Sequence, residues 1–431
     1  MYALVDCNNF YVSASRVYMP ALRNRPVVVL GSNDGCVIAR SDEARALGIK
    51  MGAPWFQVRH LTDDAGLIAL SVNFQLYGDI SDRVMSLVAG LGHRHEVYSI
   101  DEAFADLSGI RGDLVARSRK LRQRILDWVK IPTCVGIGPT KTLAKLANHV
   151  AKSAERKPGS YPSHLAQVCH LGAMGPAEVD LILASTAVGE VWGVGSRIGK
   201  QLTAAGVHTV LDLRSLDPAM VRNRWSVVLE RTVRELQGTS CISLEDAPAP
   251  RQEIACTRSF GQAVTELFVL GQAVTEFASN AAVKLRKQGS YASQVLVFIR
   301  TSPFRPDPQY SRSVVVPLRR PTADTGLIVQ AAMAGLQAIF RKGFLYAKAG
   351  VMLLDIQPAH FGQAELPLDA DSRDRSQLMT AMDQINARYG QGTLAIASAG
   401  MSRSPHVWAT RQDRRTPSFT TDWNELAIAQ A

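Results

Sequence analysis

The chain has 431 residues, a formal net charge of +10, 46% hydrophobic residues and 7% aromatic residues. This length exceeds what one ordinary hydrophobic core supports, so we expect about two to four domains. No run approaches the roughly 18 uninterrupted apolar residues of a membrane span. The opening MYALVDCNNFY has no basic segment and carries Asp6, which argues against a secretion signal.

The cysteine and charge patterns narrow the class of protein. The six cysteines are scattered without a CxxC pair, which is typical of reduced thiols in a cytoplasm and unlike a disulfide framework or a zinc module. Surplus positive charge favours a polyanionic partner, because Lys and Arg gain free energy by releasing counterions from phosphates. The sequence therefore predicts a cytoplasmic protein, not bound to a membrane, with nucleic acid as a candidate partner.

Strands and helices alternate through about residues 1–165, which indicates an α/β or α+β domain. Apolar runs and period-2 alternation predict strands at residues 2–6, 26–30 and 133–137 and a strand pair within 98–107. Helical spacing predicts helices at residues 11–18, 41–47 and 114–129, and a long helix from 140.

The second half of the chain changes character twice. Residues 166–240 have a helical pattern with no convincing strand. From 251 onward the predicted order is β-α-β-β-α-β, with strands at 253–260, 294–301, 311–318 and 346–356 and helices at 265–287 and 322–342. After residue 356 the chain is polar, and we expect a partly ordered tail with short helices.

Three carboxylates are the strongest candidates for chemistry. Asp6 ends an apolar strand, and Asp101 and Glu102 follow the apolar-aromatic lead VYSI. Adjacent carboxylates in apolar surroundings repel each other and lose solvation unless a cation compensates. Mg²⁺ is the natural cation, and two such ions could support an in-line phosphoryl transfer. The alternative is an exposed turn in which Glu102 and Asp106 are simply solvated.

The residues after Asp6 suit a phosphate chain. A tight turn at NNFY would expose the backbone N–H groups of Phe10 and Tyr11 at a helix start. The Tyr11 ring could stack beneath a sugar, whereas Phe10 is better interpreted as a core aromatic.

Cationic residues offer further phosphate contacts. Arg40 and Arg45 lie near a helix start, although Arg45 could equally pair with a neighbouring acid on the surface. In the helix from Thr140, we interpret Lys145 as part of a solvated lysine face. The preceding GIG at 136–138 reads as a short glycine turn, which by itself is weak support for a binding loop.

A helix-hairpin-helix is predicted at residues 191–213. The turn Gly193-Val194-Gly195 opens an amphipathic helix that stops at Gly206, and a second helix follows. Such a motif presents backbone amides to a DNA phosphate without reading sequence, and Arg197 and Lys200 would add charge. An ordinary helical hairpin is the alternative.

The order of these motifs resembles the Y-family of translesion DNA polymerases, and within it the UmuC group, catalytic subunits of bacterial DNA polymerase V, with their plasmid-borne relatives. The stretches that carry the resemblance follow the family's order over about residues 1–355: DCNNFYVS, PVVVLGSNDGCVIARSDEARALGIKMG, YSIDEAFADLSG, GIGPTKTLAKLANHVAK, VWGVGSRIGK, VVLERTVRELQG and CTRSFG. SIDEAF after an N-terminal DxNNFY is highly specific.

The resemblance implies a multidomain α+β, right-hand polymerase. Palm and fingers would span about residues 1–165, with the fingers at about 20–75. The helical thumb with its helix-hairpin-helix would span about 166–240 and the β-α-β-β-α-β little finger about 241–355. A C-terminal tail for partner binding would follow at about 356–431.

The resemblance also implies roles for single residues. Asp6 and Asp101 would hold two Mg²⁺ ions, or Mn²⁺, with Glu102 on the ion that activates the primer 3′-hydroxyl and the backbone carbonyl of Cys7 in the second ion's shell. Tyr11 would be the steric gate against a ribose 2′-hydroxyl. Arg45 and Lys152 would grip the triphosphate, assisted by the amides of Phe10 and Tyr11.

Two departures from the family pattern bear on binding. Ala39 stands where the family commonly has Thr or Ser, so triphosphate binding would depend more on Arg40, Arg45 and Lys152. In the tail, residues 363–369 are similar to a sliding-clamp peptide with Leu366 and Leu368 as anchors, but they lack the usual terminal aromatic and have Glu365 where Gln is preferred.

The implied function is error-prone translesion synthesis in the SOS response, with DNA and deoxynucleoside triphosphates as substrates. The implied partners are a processed UmuD-like dimer, a RecA filament and the sliding clamp, at the bacterial nucleoid. Two rivals stay open. A nucleotidyl cyclase would need neither a helix-hairpin-helix nor a second basic domain, and a catalytically inactive DNA-binding scaffold would have no need of the three carboxylates.

Overall fold

The computed structural model describes residues 1–245, 249–359, 374–400 and 406–426. The chain divides into two compact units. The first comprises Met1–Gly31, Cys36–Pro248 and Arg414–Ala431, and the second comprises Ser32–Gly35 and Ala249–Asp413. Across the described ranges, no helix combines the length and the apolar character needed to cross a membrane.

The first unit holds the N-terminal strands and helices. Its strands are β1 Tyr2–Cys7, β2 Val27–Leu30, β3 Val37–Arg40, β4 Ile68–Ser71, β5 His95–Val97, β6 Glu102–Asp106, β7 Thr133–Gly138 and β8 Val168–His170. Its helices up to β8 are α1 Phe10–Tyr18, α2 Asp42–Ala46, α3 Trp55–Val58, α4 Leu61–Asp64, α5 Phe74–Val88, α6 Leu114–Val129 and α7 Lys141–Arg156. The later helices are α8 Pro176–Ser185, α9 Ser196–Ala204, α10 Val210–Arg214, α11 Pro218–Arg224 and α12 Val227–Leu236.

A five-stranded sheet in the order β5-β6-β1-β7-β8 forms the centre of this unit. β1 is central and pairs antiparallel with both β6 and β7. β8 pairs parallel with β7, so the expectation of no strand in residues 166–240 was wrong for Val168–His170. A three-residue strand shows too little periodicity in the sequence, and its hydrogen bonds to β7 are what define it.

The strand pair predicted within 98–107 is present, but its first strand lies before that range. β5 ends at Val97 and β6 starts at Glu102, and the intervening residues form a tight turn in which the N–H groups of Tyr98 and Ser99 both donate to the carbonyl of Glu102. Asp101 therefore lies in the turn and Glu102 begins the strand.

Helix α7 packs unusually closely on β7 because of two glycines. A Cβ placed on Gly136 would lie 2.1 Å from the Asn148 amide nitrogen and 2.2 Å from the Ala144 carbonyl oxygen. Gly138 meets the backbone of Leu143 and Ala144 in the same way, at 2.7 Å. The interpretation of residues 136–138 as a glycine turn was wrong: they end a buried strand, and their missing side chains admit the helix.

A second, three-stranded sheet has the order β3-β2-β4, with β2 antiparallel to β3 and parallel to β4. All four residues of β2 are fully buried, which explains the continuous apolar run VVVL. Ala39 is also buried and pairs with Val29 on β2.

The helices after β8 share a core with α7, to which Leu146, Val150, Leu183, Leu202 and Val233 contribute. α9 starts after Gly195, and the preceding Gly193 adopts a left-handed φ of 88°. The two helices predicted around Gly206 are present as α9 and α10, and Thr209 and Asp212 form a capping box on α10.

The second unit contains the predicted β-α-β-β-α-β order. Its elements are β9 Ile254–Val264, α13 Leu267–Lys287, β10 Ser290–Thr301, β11 Ser311–Thr322, α14 Thr325–Ile339, β12 Tyr346–Pro358 and α15 Ser376–Tyr389. The sheet has the order β11-β10-β12-β9, and every pair is antiparallel. α14 is shorter than the predicted 322–342 because Thr322 still belongs to β11 and Asp324 caps the helix at Leu327.

Part of the C-terminal region is well anchored in this unit. On α15, Asp383 accepts two hydrogen bonds of 2.7 Å from the Arg286 guanidinium of α13, a bidentate ion pair. Trp408 is 1% exposed and packs edge-on against Phe277. These contacts give the tail more fixed structure than its polar composition suggested.

We expect Gly136→Ala to lower the free energy of unfolding by about 3 kcal/mol or more, because the added methyl group has to displace the α7 backbone. The midpoint of urea unfolding, followed by circular dichroism, measures the effect. Gly78→Ala is the matched control: it lies within α5 with nothing within 4 Å of its Cβ position, so its expected change is between zero and about 1 kcal/mol of stabilisation. An unchanged midpoint for Gly136→Ala would contradict the close packing.

Candidate active site

The central strand pair brings the three predicted carboxylates to one end of the sheet. In the β1–β6 register, Asp6 lies directly opposite Glu102. The next N–H along β1, that of Cys7, donates to the Asp101 carbonyl at 2.9 Å. The side chains of Asp6, Asp101 and Glu102 therefore lie close together, although Asp6 is about 95 residues before the other two in the sequence.

Ser99 holds the turn that presents Asp101. Its hydroxyl donates to Asp101 Oδ1 at 2.6 Å and accepts from the backbone N–H groups of Asp101 at 3.3 Å and Glu102 at 3.1 Å. The sequence analysis did not single out this serine. Its position two residues before Asp101 is the signal, since Ser commonly closes such turns through its hydroxyl.

Burial makes the charges of this cluster costly. Asp6 is only 6% exposed, and burial raises its pKa to about 7, an increase opposed by Lys152 and reinforced by Glu102. Burial also works to raise the pKa of Glu102, but hydrogen bonds with Asp6 and Lys145 hold it below its ordinary value. The cluster therefore keeps Glu102 ionised. Beside it lies the Asp6 carboxyl group, whose charged form is stabilised by nearby positive charge.

Two lysines of α7 supply that positive charge. The Lys152 ammonium contacts Asp6, and the Lys145 ammonium lies 2.8 Å from Glu102. Lys145 also sits 4.5 Å from the ring centroid of Tyr98 and 5.3 Å from that of Trp192. The interpretation of Lys145 as part of a solvated lysine face was wrong, because its ammonium is enclosed by a carboxylate and two aromatic rings.

Spacing along α7 carries a signal that would have found these contacts. Lys141, Lys145, Lys152 and Arg156 recur at intervals of 4, 7 and 4 residues, which places them on one helix face. Each contacts an oxygen of the same unit. The fully buried Lys141 pairs with Glu96, and the Arg156 guanidinium donates to Asn9 Oδ1 at 3.2 Å. A basic stripe on the face that packs against a sheet indicates buried acids rather than solvent.

The first helix presents an aromatic cluster next to the carboxylates. α1 starts at Phe10 after Asn9, whose left-handed φ of 48° makes the tight turn that was predicted. Phe10 is buried in the core, as expected, while Tyr11 is half-buried. The Tyr11 ring stacks on Tyr77 at 4.8 Å and meets Phe74 edge-on at 6.3 Å.

The environment of Tyr11 disfavours its ionised form. Burial raises the pKa of Tyr11, and the Asp101 carboxylate raises it further. The N–H groups of the first turn of α1 have no acceptor within their own helix. This end of α1 thus combines hydrogen-bond donors with an aromatic wall.

Arginines form a second cationic group beside this turn. Burial lowers the pKa of Arg45, and the nearby Arg156 and Arg40 lower it further, while Asp42 pairs with Arg45 at 3.2 Å. Arg40 directs its guanidinium at the Ile49 carbonyl. Arg156 was missed by the sequence analysis, and its place on the α7 stripe is the signal that would have found it.

Other predicted residues lie elsewhere in the chain. Gly193, Gly195, Arg197 and Lys200 are exposed around the start of α9, where a ligand could reach them. Their contact with DNA stays a prediction. Leu366 and Leu368, with the similarity to a clamp peptide, lie outside the described residues.

The donor set fits divalent metal ions. Asp6, Asp101 and Glu102 offer hard carboxylate oxygens, the ligand type that Mg²⁺ and Mn²⁺ prefer. Asp6 Oδ1 is buried and is contacted by the Lys152 ammonium, so this oxygen already has a cationic group beside it. Within the described residues, no group of three His, Cys, Asp or Glu side chains is already arranged to hold a metal ion. Lys145 and Lys152 provide the compensating charge in this arrangement.

Family models match most of the chain. The impB/mucB/samB family matches residues 5–149, its C-terminal domain matches residues 251–366, and a domain of unknown function matches residues 376–429. The chain is 42% identical to Protein ImpB of Salmonella typhimurium over 100% of both chains. It is 42% identical to Protein UmuC of Salmonella typhimurium over 99% of each. It is 28% identical to DNA polymerase IV of Moorella thermoacetica over 90% of this chain and 93% of that protein.

Solved structures share the fold at low sequence identity. A Y-family DNA polymerase chimera of Dbh and Dpo4 matches with a TM-score of 0.65 and 21% identity, over 83% of this chain and 99% of the chimera. An insertion ternary complex of Dbh DNA polymerase matches with a TM-score of 0.52 and 20% identity, over the same shares. The predicted multidomain polymerase fold is thereby confirmed. With full-length relatives above 40% identity, the chain belongs to the impB/mucB/samB family and is a UmuC-like Y-family polymerase.

Proposed function

We propose that the chain is a template-directed DNA polymerase that adds deoxynucleotides to a primer 3′-end by phosphoryl transfer and performs error-prone translesion synthesis in the SOS response to DNA damage. The observation that carries the proposal is the placement of Asp6 opposite Glu102. The Asp101 carbonyl accepts a hydrogen bond from Cys7, the next residue of β1. Family membership supports the same activity. The bacterial cytoplasm is its proposed place of action.

Asp6, Asp101, Glu102 and the backbone carbonyl of Cys7 are the residues that would hold two Mg²⁺ ions, with Mn²⁺ as an alternative. When bound, such ions supply activation of the attacking hydroxyl and stabilisation of the leaving oxygen. The buried Oδ1 of Asp6 supports this role, because it is already paired with a cation, the Lys152 ammonium, in a site that favours positive charge.

The chain's own cations would bind the triphosphate. Lys152 and Arg45 are the main candidates, with Arg40 and the newly found Arg156 beside them. Lys152 would exchange its contact with Asp6 for a phosphate oxygen once the Asp6 charge is compensated in another way. The N–H groups of Phe10 and Tyr11 would donate to the same phosphates, because the start of a helix favours anions.

Sugar selection would fall to Tyr11. Its ring packs on Tyr77 and Phe74 at the start of α1, three residues after the end of β1, so it would form the wall against which a 2′-hydroxyl clashes. Because the clash is steric, it penalises ribonucleotides without requiring a hydrogen bond.

DNA would be held outside the carboxylate cluster. Exposed Gly193, Gly195, Arg197 and Lys200 at the start of α9 would contact a backbone phosphate, and the β-α-β-β-α-β unit would serve as the little finger. The UmuD-like dimer, RecA filament and sliding clamp are proposed partners on the strength of the family, with Leu366 and Leu368 proposed for the clamp.

We expect Asp101→Asn to reduce primer extension by about 1,000-fold or more, because the amide removes a charge on which the proposed phosphoryl transfer depends. DNA affinity should change less than about twofold, since other residues make the proposed phosphate contacts. Extension of a primed template with four deoxynucleotides, Mg²⁺ and the accessory subunits measures the first, and fluorescence anisotropy of labelled DNA the second. Full extension by the variant would refute the carboxylate assignment. No extension by the unmodified chain with DNA still bound would favour a scaffold.

We expect Tyr11→Ala to raise ribonucleotide use. The ratio of kcat/KM for a deoxynucleotide to that for the matching ribonucleotide should fall by about 100-fold, the size of a lost steric barrier of nearly 3 kcal/mol. Single-nucleotide primer extension measures both values. Tyr389→Ala serves as the control, since Tyr389 is 65% exposed and belongs to the second unit. An unchanged ratio for Tyr11→Ala would remove the steric-gate assignment.

A further inference from the structure

A C-terminal segment docks on the first unit beside the aromatic cluster. We call residues 414–419 the strap. It lies within the stretch that matches a domain of unknown function, residues 376–429. It packs along the end of β4 and the start of α5, so it lies against the elements that position the Tyr11 ring.

The strap is joined to the end of β4 by reciprocal hydrogen bonds. The Ser71 N–H donates to the Arg414 carbonyl, and the Arg414 N–H donates to Ser71 Oγ, both at 2.9 Å. Ser71 is fully buried, and Ser71 and Arg415 form a parallel bridge. The strap thus continues the β3-β2-β4 sheet by one short contact.

Asn73 connects the strap to α5. Its side-chain amide nitrogen donates to the carbonyls of Thr416 and Pro417, each at 3.2 Å. Its side-chain oxygen accepts from the Leu76 N–H at 3.3 Å and so caps α5. Asn73 is 2% exposed, and its side chain is shared between the strap and the first turn of the helix.

That first turn carries the rings that hold Tyr11. Phe74 and Tyr77 lie one and four residues after Asn73, and Tyr77 stacks on Tyr11. The Tyr77 hydroxyl is 3.0 Å from Ser15 Oγ, which donates to the Tyr11 carbonyl at 2.9 Å. A shift of the α5 start would therefore reach Tyr11 through its ring and through its backbone.

The strap also contacts the far end of the helix that carries Tyr11. Phe419 stacks on Tyr18, the last residue of α1, with ring centroids 5.1 Å apart and an interplanar angle of 12°. Thr416 and Ser418 are buried, and the Ser418 N–H donates to Glu425 at 2.6 Å. The strap therefore contacts both α1, which carries Tyr11, and α5, whose rings pack on Tyr11.

We propose that the strap is a positioning element for sugar selection, with Asn73 as its positioning residue. It holds the start of α5 and the end of α1 so that Phe74 and Tyr77 keep the Tyr11 ring in one orientation. Neither the strap nor Asn73 touches the nucleotide. The inference rests on the proposed function, in which Tyr11 excludes ribonucleotides, and it assigns a role to part of the domain of unknown function.

The test separates the strap contact from helix capping. Asn73→Ser keeps a good capping oxygen but lacks the amide that donates to Thr416 and Pro417. Phe419→Leu removes the stack on Tyr18 and leaves Asn73 unchanged, so it probes the strap by an independent contact. Asp113→Ala is the matched control, because it removes the cap of α6, where Asp113 accepts from Val115 and Ala116, and its side-chain hydrogen bonds in the described part of the chain stay within that helix.

Each variant of the full chain is assayed with accessory subunits for single-nucleotide extension with a deoxynucleotide and its ribonucleotide. We expect Asn73→Ser and Phe419→Leu to lower the ratio of the two kcat/KM values by about fivefold each, while kcat for the deoxynucleotide stays within about twofold. Asp113→Ala should leave the ratio unchanged. In a Tyr11→Ala background the strap variants should lower the ratio no further, because they act through that ring.

The outcomes distinguish this inference from the function on which it rests. If Tyr11→Ala lowers the ratio and both strap variants leave it unchanged, the strap has no part in sugar selection. An equal fall for Asp113→Ala would overturn the inference too, because general destabilisation would then explain the effect. If Tyr11→Ala itself leaves the ratio unchanged, the steric-gate assignment fails first.

Discussion

The antiparallel register of β1 and β6 is the constraint on which the active site depends. It sets the buried Asp6 opposite the half-buried Glu102, so two carboxylates lie side by side at one end of the sheet. A slip of one residue would turn the side chains of either strand to the opposite face of the sheet and separate the pair. Such a pair, with one acid buried and the other half-buried, requires compensating positive charge, and the surrounding structure provides it.

Helix α7 is the source of that charge, and its position follows from the glycines of β7. Because Gly136 and Gly138 lack side chains, the helix approaches the sheet closely enough for Lys145 and Lys152 to reach the carboxylates. The same face buries Lys141 against Glu96 and the Phe104 ring. Backbone packing and charge compensation are therefore two aspects of one contact, which also positions Lys152, a residue proposed to bind the triphosphate.

The C-terminal region contributes to both units rather than forming one of its own. Its helix α15 is tied to α13 by the Arg286–Asp383 pair in the second unit, whereas the strap belongs to the first. The family model that covers this region describes a domain of unknown function. Its hydrogen bonds to Ser71 and Asn73 place it against the elements that support Tyr11, which is the basis for its proposed role in sugar selection.

Local pattern in the sequence determined the main elements and the β-α-β-β-α-β order, and it singled out three candidate carboxylates, because hydrophobic period and motif order are properties of neighbouring residues. Tertiary structure alone decided which face of α7 is buried, so Lys145 was misjudged. A helical wheel shows where a lysine points but not what packs there. The glycines at 136 and 138 were misread for the same reason, since close approach of two elements leaves no periodic trace. The strap was out of reach as well: Asn73 and Thr416 are 343 residues apart, and only the folded chain brings them within hydrogen-bond distance.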